Sequence, residues 1–132
     1  MIKHLDHLVL TTRNIDECIY FYKDVLGMKL ETFFGGKPKV ERKALRYGKQ
    51  KINLHVYGKE FEPKAKHPTP GSLDLCFISE IPLDKFIELL NEKKIKIVEG
   101  PVERTGATST LRSIYVRDPD QNLIEISEEI KN

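Results

Sequence analysis

The sequence predicts an α+β fold of two tandem βαβββ units, whose curved mixed sheets form a half-open cradle with the helices outside. Two observations predict it: the chain repeats itself, and within each copy the apolar period switches between that of a strand and that of a helix. Residues 5–30 read Leu5-Asp6-His7-Leu8-Val9-Leu10, a polar corner, an amphipathic stretch, then Gly27-Met28-Lys29-Leu30. Residues 73–97 read Leu73-Asp74-Leu75-Cys76-Phe77-Ile78, a polar corner, an amphipathic stretch, then Lys94-Ile95-Lys96-Ile97. Laying His7 over Asp74 lays Gly27 over Lys94 and Leu30 over Ile97, with one residue of slack at the corner. The later halves match as well, residues 47–55 running against residues 117–125 and His55 falling over Glu125.

The elements follow in order. The first strand spans 3–11, and alternation puts Leu5, His7 and Val9 on one face with Leu8 and Leu10 on the other. Asn14 caps a helix, and Glu17 three residues on completes a capping box. Ile15, Ile19, Tyr22 and Leu26 form its apolar stripe, and Gly27 supplies a left-handed end. Strands follow at 28–34, 42–47 and 50–57, the last two joined by a tight turn at Gly48. The second unit opens with a strand at 71–78, and Pro82 starts a helix that buries Leu83, Phe86, Ile87 and Leu90. Strands at 95–99, 111–117 and 122–127 complete it, with Asp118-Pro119-Asp120 as the turn before the last. Residues 1–132 read as one domain, with repeat units of about 1–58 and 71–132 and a polar, proline-bearing linker at about 59–70. One such sheet alone would leave a concave face uncovered, which is why the unit occurs twice.

Composition narrows the function classes. The chain of 132 residues is long enough for one domain with a real core, and 39% hydrophobic against 32% charged residues marks it as globular. Its 22 basic and 20 acidic side chains are mixed along the sequence, so no single-sign field points to nucleic acid. The Lys-rich patch from Lys37 to Arg46 reads as a solvated loop and edge strand. No apolar run approaches the ~20 residues of a membrane-spanning helix, and the N-terminus lacks a signal-peptide profile. Cys18 and Cys76 lie in apolar contexts and read as reduced core residues, so the expected compartment is the cytoplasm.

Four side chains able to bind a metal, His7, His55, Asp74 and Glu125, sit at two pairs of equivalent positions. The strands' apolar faces belong to the helices, so these polar members point into the cradle. A buried polar group without a partner costs about 2–7 kcal/mol. One divalent ion satisfies all four at once. Two imidazoles and two carboxylates suit Zn, Ni, Fe, Mn or Co, with room left for water or substrate oxygens. Asn53 shares a face with His55, and Tyr115 has the parity to face the cradle beside Glu125. Arg104, Thr105 and Gly106 fall in a loop before a site strand, where the arginine is suited to an anionic substrate group.

Three segments resemble the vicinal oxygen chelate superfamily, the glyoxalase/bleomycin resistance/dioxygenase fold. They are Leu5-Asp6-His7-Leu8-Val9-Leu10, Phe21-Tyr22-Lys23-Asp24-Val25-Leu26-Gly27-Met28 and residues 115–125, Tyr-Val-Arg-Asp-Pro-Asp-Gln-Asn-Leu-Ile-Glu, the last being the most specific. Within that superfamily, residues 51–55, 70–74 and 100–107 are similar to the glyoxalase domain-containing and virulence-associated bacterial members. The resemblance spans nearly the whole chain and implies one vicinal oxygen chelate domain with metal ligands at His7, His55, Asp74 and Glu125. The usual fifth-strand ligand is a histidine, so Asp74 departs from the family pattern.

The resemblance also implies the chemistry. A small-molecule substrate with adjacent oxygens would bind a divalent metal, which stabilises the anion formed when a proton leaves. Glu125 and His55 would be the catalytic groups; His55 stands where isomerase-type members carry a proton-moving glutamate, a departure from the strict lactoylglutathione lyase pattern. Arg104, Thr105, Tyr115 and Asn53 would contact substrate. The expected activity is a metal-dependent lyase or isomerase of the glyoxalase type. The alternatives are a ring-cleaving dioxygenase on the same site and a non-catalytic drug- or metabolite-binding protein. Two open sheets, and the habit of family relatives, point to a homodimer; no nucleic acid or membrane partner is expected.

Overall fold

Each half of the chain builds its own sheet because its first strand runs parallel to its last, and a parallel neighbour needs a long crossover. The first unit runs from Met1 to Gly71 and the second from Ser72 onward; the computed structural model describes residues 1–130. In the first unit β1 (His7–Thr12), β2 (Lys29–Gly35), β3 (Val40–Tyr47) and β4 (Gln50–Val56) lie in the order β1-β4-β3-β2. In the second, β5 (Asp74–Ile78), β6 (Glu99–Thr105), β7 (Thr110–Arg117) and β8 (Leu123–Glu129) lie in the order β5-β8-β7-β6. β1 is parallel to β4 and β5 to β8, and the other pairs are antiparallel. These two open, four-stranded mixed sheets are the tandem βαβββ architecture expected from the repeat.

Several boundaries move. β1 and β5 start at His7 and Asp74, later than the expected 3 and 71. β6 occupies Glu99–Thr105 and not 95–99. The reason is the helix before it: Ile95 N–H still donates to the Leu90 carbonyl, and Lys94 at φ 59° closes the helix in left-handed geometry. Its repeat partner Gly27 has φ 82° and ends the first helix in the same way. Arg104 and Thr105 therefore lie on a strand, not in a loop. β3 sits between β4 and β2, so the basic cluster at 37–46 reaches an interior strand instead of an edge.

In the first helix, α1 (Ile15–Ile19) has the expected cap, the Asn14 side chain accepting from Glu17 N–H at 3.1 Å, but the capping box is not completed, because Asn14 N–H donates to Thr12 Oγ1 at 3.2 Å and not to Glu17. It then continues as a π-helical segment over Tyr20–Val25, with Leu26 N–H donating to the carbonyl of Phe21 five residues back. Wider turns rotate the buried face: Cys18, Phe21, Tyr22 and Val25 are enclosed, while Ile15, Ile19 and Leu26 are only half-buried. In the second unit α2 (Leu83–Glu92) buries Leu83, Phe86 and Leu90, and Ile87 is half-buried.

Leu10, Leu45, Ile52 and Leu54 are buried in the first sheet, and Ile114, Val116, Ile124 and Ile126 in the second. Each such side chain stabilises the fold by about 1.5–3 kcal/mol. Cys18 is buried as expected, but Cys76 is exposed, because it stands on the face of β5 opposite Leu75 and Phe77. Neither forms a disulfide. No helix among the described residues is long and apolar enough to cross a membrane.

Candidate functional site

The rows of a sheet decide which side chains can meet. In the second sheet Cys76, Glu125 and Tyr115 occupy one row, and Asp74, Leu123 and Arg117 occupy the next. Alternation turns all of them away from buried Ile124 and Val116. Asp74, Glu125 and Tyr115 consequently line one open cavity of about 480 Å³, together with Arg104 and Arg117.

Glu125, Tyr115 and Arg104 are held in place in that cavity. Ser127 Oγ donates to a Glu125 carboxylate oxygen at 3.3 Å, and Ser127 in turn pairs with buried Ser113 at 2.6 Å and with the Cys76 thiol at 3.3 Å. Arg104 Nε donates to the Tyr115 hydroxyl at 2.9 Å, its Nη1 to the Glu103 carbonyl at 2.9 Å and its Nη2 to Glu99 at 3.3 Å. Burial raises the Tyr115 phenol above its ordinary value, with the Glu125 carboxylate adding to the effect against the Arg104 hydrogen bond. The hydroxyl therefore stays protonated. Cys76 is exposed as a residue, but partial desolvation of its sulfur beside Ser127 raises the thiol, and Glu125 and Asp74 oppose its ionisation. Thr105 pairs with Thr110 across the hairpin and lies outside the cavity lining. Arg117 and Glu99, which do line it, carry no sequence signal that sets them apart from other surface charges.

The first unit presents the corresponding rows as His7–Lys51, then Val9–Asn53–Ala44, then Thr11–His55. His7 stands where Asp74 stands, at the first paired position of the strand that is parallel to the last. Its Nδ1 pairs with the Asp6 carboxylate at 2.8 Å, which leaves Nε2 for another partner, and this bond holds the Asp6 carboxyl below its usual range. Asn53, not His55, takes the position of Glu125. The expected equivalence of His55 and Glu125 fails because the turn between β7 and β8 holds five residues and the turn between β3 and β4 only two. His55 therefore lies two rows from His7, about 13 Å along the sheet at the usual strand rise, and the row of Asn53 intervenes.

The Asn53 Oδ1 atom is buried and has no hydrogen-bond partner among the described residues. His55 is 6% exposed and stands edge-on to Phe61 with ring centres 5.4 Å apart. Burial lowers its pKa, and the Arg42 guanidinium lowers it further. Arg42 and Phe61 are the residues that sequence reasoning passed over, the first inside a basic run and the second inside the linker. Among the described residues, no three His, Cys, Asp or Glu side chains gather as a group able to hold a metal ion.

Residues 4–126 match the model of the Glyoxalase/Bleomycin resistance protein/Dioxygenase superfamily. The chain belongs to that superfamily. Virulence protein STM3117 of Salmonella typhimurium (strain LT2) is 56% identical to this glyoxalase-superfamily chain over 128 residues, covering 97% of it and 85% of the relative. The crystal structure of STM3117 superposes with a TM-score of 0.91 at 55% identity, over 98% of this chain and 99% of that one. Glyoxalase domain-containing protein RDO1 of Mycosarcoma maydis is 53% identical over 126 residues, 96% of this chain and 68% of its own length. A lactoylglutathione lyase from Agrobacterium tumefaciens shares the superfamily fold at a TM-score of 0.71 and 19% identity, covering 97% and 95% of the two chains.

Proposed function

We propose that this glyoxalase-superfamily chain is a metal-dependent lyase or isomerase acting on a small molecule with adjacent oxygen atoms. The observation that carries the reading is the cavity of the second unit, where the carboxylates of Asp74 and Glu125 share a face with the Tyr115 hydroxyl and with Arg104 and Arg117. Two carboxylates on one wall are donors for a divalent ion. The first unit has donors of its own in the His7 imidazole and in Asn53, whose Oδ1 has no hydrogen-bond partner among the described residues. When bound, the ion supplies Lewis acidity to substrate oxygens.

The protein's own groups divide the remaining work. The Glu125 carboxylate, steadied by Ser127, takes the proton from the substrate carbon beside a carbonyl. Tyr115, protonated and fixed by Arg104, donates a hydrogen bond to the oxygen on which charge develops. Arg117 adds a positive charge to the same wall. The reading takes the protein as a cytoplasmic homodimer with a small-molecule substrate and no nucleic-acid or membrane partner.

The test is elemental analysis of protein purified without chelators or an affinity-metal column, with His7→Ala and Glu125→Ala alongside. The expected result is about one first-row transition metal per chain, lost in both variants, followed by turnover of a vicinal-oxygen substrate with that ion. Protein that is metal-free and cannot be loaded would overturn the reading.

A further inference from the structure

We infer that Arg42 and His55 form a subsite of the first unit for the carboxylate of a small organic acid, with Phe61 as its platform. Pairing between β3 and β4 ends at Ala44 and Asn53, and Arg42 and His55 each lie two residues beyond that pair on the same face. Phe61 reaches this point from the segment that follows β4. Its ring centre lies 4.3 Å from the Arg42 guanidinium and 5.4 Å from the His55 ring.

Two neighbours restrict the guanidinium. Phe61 lies over it, and the turn at Gly35-Gly36 also comes close: a Cβ on Gly36 would stand 2.6 Å from Arg42 Nη2, and one on Gly35 would stand 3.4 Å from Nε. Gly36 adopts φ +83°, so glycine both permits the turn and leaves room for the arginine. A clamped guanidinium presents its N–H edge at little entropic cost.

The buried Arg42 Nε of that edge has no hydrogen-bond partner among the described residues. Arg46, Arg104 and Arg112 are each paired with carboxylates, to Glu31, to Glu99, and to Asp84 and Glu128. The acids near Arg42 are engaged elsewhere: Glu41 with Lys43, Glu62 with Lys64, and Glu60 with the Gly58 amide. A buried guanidinium N–H is satisfied best by a planar carboxylate, which accepts two parallel bonds from the fork. One guanidinium matches the single charge of a carboxylate better than that of a phosphate dianion. The aromatic face of Phe61 suits the apolar body of an organic acid. Metal plays no part in this site.

The experiment uses chelator-treated full-length protein, so that its outcome is independent of the metal reading. Acetate, benzoate and inorganic phosphate are titrated separately while the Arg42 Nε–H and His55 ring signals are followed by NMR. Saturable shifts at both groups with the carboxylates, weakened at least tenfold in Arg42→Gln and several-fold in Phe61→Leu, are the expected result. Phosphate binding as tightly as benzoate would overturn the carboxylate assignment. Shifts that do not saturate at Arg42 Nε–H, or an affinity unchanged in a folded Arg42→Gln, would overturn the subsite. Should that variant not fold, the wild-type Arg42 Nε–H titration decides alone.

Discussion

Asp118 and Asn122 are joined three times across one five-residue turn. Asp118 Oδ1 accepts from the Asn122 amide at 2.9 Å, Asp118 Oδ2 accepts from Asn122 Nδ2 at 2.7 Å, and the Asp118 amide donates to the Asn122 carbonyl at 3.1 Å. Asn122 Oδ1 then accepts from Leu73 N–H at 2.8 Å, tying the turn to the residue before β5. Both side chains are almost fully buried, at 2% and 1% exposure. Replacing Asp118 by alanine strands several buried donors, so Asp118→Ala is expected to destabilise the protein by about 3 kcal/mol. Thermal melts check this, and a fall in Tm of less than a few degrees would contradict it.

Gly100 carries a different constraint. Its φ is +104°, and an added Cβ would lie 2.5 Å from the Ser113 carbonyl oxygen and 2.9 Å from Ile114 Cα. Both neighbours are backbone in β7, so neither can swing aside. Gly100→Ala should cost about 2–4 kcal/mol through strain and displacement of β6. Urea unfolding measures it, and a midpoint within error of wild type would refute the contact.

The His55 pKa supplies a pH dependence. Its folded value lies below its ordinary one, so the unfolded chain binds the proton more readily. Stability from this group is therefore present above the ordinary histidine pKa and is lost as pH falls through the lower folded value. Denaturation series from pH 8 down to pH 5 should show wild type weakening on the acid side and His55→Gln losing part of that slope. Parallel curves for the two proteins would contradict the assignment.

Tyr115 is expected to ionise late. Burial raises both its phenol and that of Tyr47 among the five tyrosines of the chain. An ultraviolet pH titration should resolve a late-ionising fraction, and Tyr115→Phe should remove part of it. The same variant deprives Arg104 Nε of its acceptor. Turnover of a substrate by the loaded enzyme should then fall by about 10²-fold, the low end for a lost oxyanion hydrogen-bond donor. Unchanged turnover would remove Tyr115 from the chemistry.

The repeat was legible in the sequence because alternation and helical stripes survive in both halves, and the pairs His7/Asp74 and Gly27/Lys94 fall at matching places in the fold. What escaped has physical causes. A π-helical segment does not announce itself in a 3.6-residue stripe, so Cys18, Phe21 and Val25 took the buried face from Ile15, Ile19 and Leu26. A left-handed lysine carries no glycine signal, so the later start of β6 was hidden. Alternation fixes which face a residue occupies but not its row, and unequal turns therefore disguised Asn53 as an onlooker and His55 as the partner of Glu125. Phe61 returns to the sheet through tertiary packing alone, which no local pattern in a polar segment records.

The unequal turns also set a rule for anyone wishing to transplant chemistry from one half into the other. A graft drawn by counting residues along the chain would write the acid into His55 and land it one row away from its model. A graft drawn by sheet rows writes Asn53→Glu, the single exchange that makes the first unit repeat the carboxylate of the second. The halves are thus interchangeable by position in the sheet and not by position in the gene.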